Sequence, residues 1–460
     1  RSGLPLLHIP DSPVCGREKL RRHTVRRVAR TCVMWAGIPV CILIVGLAAG
    51  CAATDNSDNK STVPPDPRPK ADEVENAPIS VQKIHRMARD GTAGAQLALG
   101  KMYYDGSGGL TRDYEEAATW FGRAAEQGNA MAQFNYAVCF DTGNGTPKDP
   151  AQAKEWYRKA AEQGLLQAQI NAAVSYELEG EFGSALTYYR MAAEQGHNKS
   201  LRKLGEFYMN GWGVPHEPAT GAAYFRKAAE KGDARSQVRL ANCYFQGLGV
   251  PVDYTEMLRW LWVAAGNDDP EAKSKIGWCY KEGIGLKKDA AAAFKWYRQA
   301  ARQGYAPAQA AVGRCYTDGT GVSRDVKQAF TWFERAAQQE NPRGQFNVGV
   351  AYALGRGVEQ DDAEAFAHFL AAARNGYPKA MFNAGLYYEE GRATEPDLAK
   401  AVKWYRRAAG QGDPQGLCAY GRMLLEGKGV ARDAKRAAFY LRRAADAGSE
   451  KARALLDAEF

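Results

Sequence analysis

Apolar residues recur at helical spacing throughout residues 92–448, as the segment 305–340 illustrates. Ala308, Val312 and Tyr316 follow one another at i, i+4 and i+8, which is one face of an α-helix. Gly319 and Gly321 then interrupt the pattern, because glycine adopts turn conformations that other residues resist. A second apolar stripe begins at Ala329 and runs through Trp332, Phe333 and the pair Ala336–Ala337. The segment therefore predicts two helices joined by a turn.

This two-helix pattern recurs ten times. Ala-Ala pairs follow one another at a spacing of 36 residues, with a single step of 32. A bulky side chain, which we expect to be buried, stands four residues before each pair: Trp120, Trp156, Tyr188, Tyr224, Trp260, Trp296, Trp332, His368, Trp404 and Tyr440. The units are 92–128, 129–164, 165–196, 197–232, 233–268, 269–304, 305–340, 341–376, 377–412 and 413–448. A lone helical hairpin cannot bury such a stripe, so neighbouring units must stack.

Three recurring motifs resemble those of the Sel1-like repeat, a relative of the tetratricopeptide repeat. They are Leu-Gly-x-x-Tyr in the first helix (99–103), Gly-x-Gly-Val in the loop (319–322) and Trp-Tyr-x-x-Ala-Ala in the second helix (296–301). The resemblance implies an all-α fold, a right-handed α-solenoid of about ten two-helix repeats over 92–448. Residues 80–90 and 449–460 resemble terminal cap helices, which places the solenoid at 80–460.

Three units depart from this pattern. Unit 165–196 lacks four loop residues, which predicts a tighter connection between its helices. Units 233–268 and 305–340 end in Asp268 and Glu340, where most units end in glycine.

The segment 1–50 has the features of an export signal. An arginine cluster at 21–30 precedes an uncharged apolar run that ends in small residues. The end of the run, Leu47-Ala48-Ala49-Gly50-Cys51, resembles the lipobox of bacterial lipoprotein precursors, in which the cysteine is lipidated after cleavage. An uncleaved signal anchor is the alternative, because the run approaches the ~20 residues that span a bilayer.

Residues 51–79 are polar and proline-rich, which predicts a disordered tether between the membrane and the repeats. Either anchor places the repeats outside the cytoplasm, in a bacterial cell envelope. The lipoprotein resemblance, with Ala52 rather than Asp after the cysteine, implies the outer membrane, facing the periplasm or the surface.

Charge and motifs exclude several classes of function. The net charge is +9, but residues 1–50 carry +6 of it, so the repeats lack the basic domain of a nucleic-acid binder. The sequence has no HExxH or GxSxG motif and no zinc-like Cys/His spacing, so we expect neither an enzyme nor a metal or cofactor.

Four cysteines share one repeat position: Cys139, Cys243, Cys279 and Cys315. Stacked repeats would hold them too far apart for disulfides.

The first helices offer a better candidate site. Counting from the start of each unit, positions 3, 7, 10 and 14 lie opposite the buried stripe. In tetratricopeptide-like solenoids this face lines the concave surface. Position 7 holds Asn135, Asn171, Lys203, Arg239, Lys275, Asn347 and Asn383, and position 10 holds Trp278 and Arg314. Asparagine can donate to and accept from a peptide backbone, and Trp and Arg are frequent interface hot spots.

These features favour a non-enzymatic scaffold that is anchored in the envelope and binds a peptide or protein on the first-helix face. The alternative is recognition or processing of cell-wall (peptidoglycan) fragments.

Cys51→Ala should abolish lipidation, because the thiol is the acceptor in the lipobox interpretation. The measurement is incorporation of labelled palmitate in cells. Incorporation at the wild-type level would exclude the lipoprotein and leave the signal anchor.

Overall fold

A computed structural model describes residues 78–460, and this part of the chain contains 22 α-helices and no strand. The predicted export signal, the tether up to residue 77 and Cys51 lie outside the described residues. Among the described helices, none combines the length and the apolar character needed to cross a bilayer.

The helices follow the predicted two-helix units. An initial helix α1 spans Ile79–Arg89 and a final helix α22 spans Glu450–Glu459. The first helices of the ten units are α2 (Ala93–Asp105), α4 (Ala130–Thr142), α6 (Leu166–Glu179), α8 (Asn198–Asn210), α10 (Ala234–Gln246), α12 (Pro270–Glu282), α14 (Ala306–Asp318), α16 (Pro342–Leu354), α18 (Pro378–Glu390) and α20 (Pro414–Glu426). The second helices are α3 (Tyr114–Glu126), α5 (Pro150–Glu162), α7 (Phe182–Glu194), α9 (Pro218–Glu230), α11 (Tyr254–Gly266), α13 (Ala290–Arg302), α15 (Val326–Gln338), α17 (Asp362–Arg374), α19 (Leu398–Gly410) and α21 (Ala434–Asp446).

The helices group into two compact units that divide after Tyr188, within α7. Within each unit, helices that follow one another along the chain pack together, as α2 does on α3 and α8 does on α9. The all-α solenoid class predicted from the repeats is therefore confirmed.

Side-chain caps and left-handed residues fix the ends of the helices, as the seventh repeat shows. Asp325 precedes α15, and its Oδ1 accepts hydrogen bonds from the amides of Lys327 and Gln328, each at 3.0 Å. Such a cap pairs amides that a helix start leaves unsatisfied. Gly319 ends α14 with φ 73°, a conformation that a side chain would strain.

In the seventh repeat, a glycine of the first helix lies against a ring of the second helix. A Cβ on Gly313 would lie 2.5 Å from Cε1 and 2.6 Å from Cδ1 of Phe333. Position 9 holds only Gly or Ala in all ten repeats, and all ten residues are buried. The small residue therefore allows the ring, and with it the second helix, to approach the first helix closely.

The residue that is buried in all ten second helices lies one position later than the sequence indicates, and it is aromatic in eight of them. Trp120, Tyr188, Trp260 and Trp404 are buried as expected. The other six bulky residues of that position are only half-buried: Trp156, Tyr224, Trp296, Trp332, His368 and Tyr440. The residue that follows each one is buried in every repeat. In the seven repeats that carry glycine at position 9, it is the residue that a Cβ on this glycine would meet first. We number the second helices so that each alanine pair occupies positions 32 and 33. Position 29 is then the core position, and position 28 lies at the edge of the core.

The third repeat has the shortest connection between its helices. Only Gly180 and Glu181 separate α6 from α7, whereas seven residues separate α14 from α15. The omitted segment contains the Gly-x-Gly loop, whose second glycine elsewhere contacts the preceding repeat. A Cβ on Gly321, for example, would lie 2.0 Å from the carbonyl oxygen of Ala290. The third repeat therefore lacks this loop contact.

Candidate functional site

The structure places the predicted position 7 and 10 residues on the first helices and divides them between the two compact units. Asn135 and Asn171 belong to the first unit. The second unit holds the other members: Lys203, Arg239, Lys275, Trp278, Arg314, Asn347 and Asn383.

The cationic members reach solvent to different degrees. Arg239 is exposed, whereas Lys203 and Lys275 are half-buried. Lys203 Nζ lies 3.6 Å from Glu206 Oε2, and Lys275 Nζ lies 3.7 Å from Glu271 Oε1. Pairs within one helix that solvent partly reaches contribute little stability. Arg239 is thus the most accessible of these three cations.

The asparagines make contacts that sequence reasoning missed. Nδ2 of Asn347 donates to the carbonyl of Arg343, and Nδ2 of Asn383 donates to the carbonyl of Lys379, both at 2.8 Å. Asn171 hydrogen-bonds the hydroxyl of Tyr157. Nδ2 of Asn135 is buried and has no hydrogen-bond partner among the described residues. The amide donors of Asn347 and Asn383 are therefore engaged within their own helices.

Trp278 is both a surface residue and a packing residue. It is half-buried, and its ring stands edge-on to Phe245 of the preceding first helix, with centroids 5.1 Å apart. It also packs against the core formed by α13 and α14. Arg314, at the same position of the next repeat, is half-buried as well. The indole is thus held in one orientation before any partner arrives.

A buried glutamine at position 5 joins successive repeats. In the seventh repeat, Gln309 Nε2 donates to the carbonyl of Ala301, at 3.3 Å, and its Oε1 accepts from Gln339 Nε2, at 2.9 Å. Six repeats carry this glutamine: Gln96, Gln133, Gln169, Gln237, Gln309 and Gln345. The recurrence of glutamine at one repeat position was the feature of the sequence that could have predicted this bridge.

A cleft lies at one of the places where this glutamine is replaced. In the fourth repeat, position 5 is Leu201 and position 35 is Lys231, so the amide bridge is absent there. A cavity of about 450 Å³ between α7, α8 and α9 is lined by both residues, with Leu204 and Tyr224 beside them. Charged side chains of both signs surround this apolar floor.

The sixth repeat replaces the glutamine with a charged pair. Buried Lys273 forms an ion pair with Asp268, whose backbone φ is 65°. Gln303 also hydrogen-bonds Asp268, and the two contacts lower the pKa of that carboxyl. The unusual Asp268 therefore takes part in the joint between the fifth and sixth repeats.

Reactive side chains are buried rather than gathered in a site. The five cysteines in the described part of the chain are free and buried, and burial raises the pKa of the Cys243 thiol to about 11. Ser200 Oγ lies 2.9 Å from His197 Nδ1, but the serine is only 1% exposed. Residues 78–460 contain no cluster of His, Cys, Asp or Glu that could hold a metal ion.

Comparison with known proteins agrees with the repeat geometry. The Sel1 repeat model matches ten segments: 93–129, 130–165, 168–197, 198–233, 234–261, 270–305, 306–341, 342–377, 378–413 and 414–449. The chain belongs to the Sel1-repeat family. Each matched segment corresponds to one of the predicted units, so the recognition of the family from its motifs is confirmed.

Two crystal structures illustrate the relationship. The chain is 32% identical to a protective antigen of uropathogenic Escherichia coli with an SLR fold, over 82% of this chain and 81% of that one, with a TM-score of 0.54. It is 33% identical to a Sel1 repeat protein from Oxalobacter formigenes, over 53% of this chain and 99% of that one, with a TM-score of 0.50. No curated protein matches the sequence.

Membership of the family carries a general function. Sel1 repeat proteins mediate protein–protein interaction, and their fold is typically a non-enzymatic scaffold.

The glutamine bridge leads to a stability prediction. Gln309→Leu, the residue naturally present at Leu201, should lower the unfolding free energy by about 1–3 kcal/mol, because the buried carbonyl of Ala301 loses its side-chain donor. The measurement is urea unfolding followed by circular dichroism.

Gln338→Leu is the matched control, because Gln338 is exposed on the second helix of the same repeat. It should change stability by no more than about 0.5 kcal/mol. Equal effects of the two substitutions would show that the bridge contributes nothing.

Proposed function

We propose that this chain is an envelope-anchored, non-catalytic scaffold that binds a protein or peptide on its first helices, around Trp278. One observation supports the location above all. The indole of Trp278 is packed edge-on against Phe245 and is only half-buried, so part of it faces solvent. An aromatic anchor that is already ordered loses little side-chain entropy on binding.

The neighbouring cations supply polar contacts. Arg239 on α10 is exposed, and Lys275 lies on α12 one turn before Trp278. Arginine offers several donors in a fixed planar arrangement, which suits backbone carbonyls and carboxylates of a bound chain. An aromatic anchor with cationic neighbours is a frequent composition of interface hot spots.

The asparagines have a smaller part in this proposal. Because Nδ2 of Asn347 and of Asn383 donates within its own helix, each would have to break a hydrogen bond before it could donate to a ligand. The site is therefore centred on α10, α12 and α14.

The envelope location rests on the sequence of the N-terminal segment. A lipid on Cys51, followed by the polar residues 52–77, would tether the repeats to a membrane and leave the first helices accessible. The outer membrane is the proposed destination.

Site-specific photo-crosslinking in intact cells tests the binding surface. A benzophenone amino acid is placed at Arg239 or Lys275, and at Lys403 as a control that is exposed on a second helix. We expect discrete protein adducts from the first two positions and none from the third. Arg314→Ala, checked for an unchanged thermal melt, should reduce the adduct yield at Lys275 at least tenfold.

Two results would contradict the proposal. Equal adducts from all three positions would indicate random collisions. Glycan in place of protein in the adducts, together with pelleting of the purified chain on peptidoglycan, would favour the cell-wall function.

A further inference from the structure

The outward face of the second helices changes character between the fourth and fifth repeats. On these helices, positions 27, 30 and 34 lie on the solvent side, counted so that the alanine pair occupies 32 and 33. In the first four repeats position 34 is a glutamate: Glu126, Glu162, Glu194 and Glu230. In the second repeat Arg158 Nη1 of position 30 lies 2.6 Å from Glu162 Oε1. Arginine and glutamate thus balance each other on this helix.

The fifth and sixth repeats lack the glutamate of this pair. Position 34 becomes Gly266 and then Arg302, and position 30 of the fifth repeat becomes Trp262. Beside Trp262, Val263 replaces the cation found at this position in most repeats. Both apolar residues are exposed, Trp262 at 39% and Val263 at 41%. Large exposed apolar residues that are contiguous mark interaction surfaces more often than isolated ones do.

Packing explains why Trp262 stands out from the helix in a fixed orientation. In five other repeats a position 31 cation covers the position 28 ring, as Lys159 Nζ does over Trp156 at 3.8 Å. The sixth repeat has Gln299 there instead, and Trp262 contacts Trp296 edge-on, with centroids 5.1 Å apart and planes at 77°. The exposed indole is therefore supported by a second indole across the two helices.

The sixth repeat adds cations without acidic partners. Helix α13 contains no Asp or Glu. Lys295, Arg298 and Arg302 are exposed on it at i, i+3 and i+7, and none has a salt-bridge partner within residues 78–460. Arg259 on α11, by contrast, is paired with Glu256, at 2.8 Å. The surface thus combines an apolar centre on α11 with an uncompensated positive stripe on α13.

We propose that this α11–α13 patch, formed by Trp262, Val263, Lys295, Arg298 and Arg302, binds an acidic peptide segment that carries an aromatic or aliphatic side chain. The apolar side chain packs on Trp262 and Val263, and the carboxylates pair with the cations of α13. Arginine matches carboxylates with two parallel hydrogen bonds. The site lies on the second helices and is separate from the binding surface around Trp278.

A peptide fits this patch better than a membrane does. An interfacial membrane contact needs a long apolar face that inserts among acyl chains. Here the apolar part consists of one indole and one valine, and the indole packs on Trp296. Such a small, rigid centre with a charged surround has the anatomy of a protein hot spot.

Binding of defined synthetic polymers tests the proposal. The probe is a fluorescein-labelled Glu–Tyr copolymer (about 4:1), and the readout is fluorescence anisotropy with the purified repeats at low and physiological salt. We expect the wild-type chain to bind it at least tenfold more tightly than labelled polyglutamate, because polyglutamate has no apolar side chain. Arg314→Ala should leave this affinity unchanged, which separates the patch from the first-helix surface.

Four variants locate the binding. Trp262→Ala and Arg302→Glu should each weaken binding at least tenfold, and Arg302→Glu recreates the arginine–glutamate pairing of the second repeat. Trp212→Ala removes another exposed tryptophan, 37% exposed, and Arg374→Glu makes the same charge change at position 34 of the eighth repeat. These two controls should alter the affinity less than twofold, and all four variants should melt like the wild type.

Three outcomes would overturn the proposal. Unchanged affinity in Trp262→Ala would show that the apolar centre does not contribute to binding. Equal losses of affinity in Arg302→Glu and Arg374→Glu would show that binding depends on the net charge of the chain and not on this patch. Tighter binding of duplex DNA or phosphatidylglycerol vesicles, with the same dependence on Trp262 and Arg302, would assign the patch to another class of partner.

Discussion

Close approach of the two helices within each repeat is the constraint on which the rest of the structure depends. In the seventh repeat the ring of Phe333 lies where a side chain on Gly313 would have to begin. Because the first helix carries only Gly or Ala at this position, the second helix can bury its position 29 residue in every repeat. The alanine pair three and four residues later adds two more small side chains to the second helix. Repetition at 36 residues then follows from the need to present the same surface to the next unit.

Polar groups join the repeats where the apolar contact ends. The Gln309 amide donates to a carbonyl of the preceding repeat and accepts from the residue that follows its own second helix, so two hydrogen bonds depend on one residue. Buried amides are stabilising only when their partners are present. Natural replacements show the consequences: Lys273 requires a charged partner in Asp268, whereas Leu201 lines a cleft.

Periodicity predicted the helices and the ten units, because a stripe such as Ala308, Val312 and Tyr316 is the pattern of one helix face. The family was recognised from motifs that recur in those units. Periodicity did not separate position 28 from position 29. Both are often aromatic, and a rotation of 100° decides which of Trp332 and Phe333 meets the first helix. The role of Gln309 was missed because glutamine is usually exposed, and its partners lie about 8 and 30 residues away. The sequence placed the candidate residues on the first helices. It did not predict that Asn347 hydrogen-bonds within its own helix.

A frame held by these repeated contacts leaves the outer faces of the helices free to vary, and that is where the proposed functions lie. The central claim is the steric one, and Gly313→Ala tests it most directly. Helix propensity alone would stabilise this variant by about 1 kcal/mol. The account predicts a net loss of about 1 kcal/mol or more in urea unfolding, because overpacking a well-filled core costs about 1–3 kcal/mol. Gly410→Ala is the control, since its Cβ would meet no atom within 4 Å, and it should be neutral or stabilising. A Gly313→Ala variant as stable as Gly410→Ala would contradict the account.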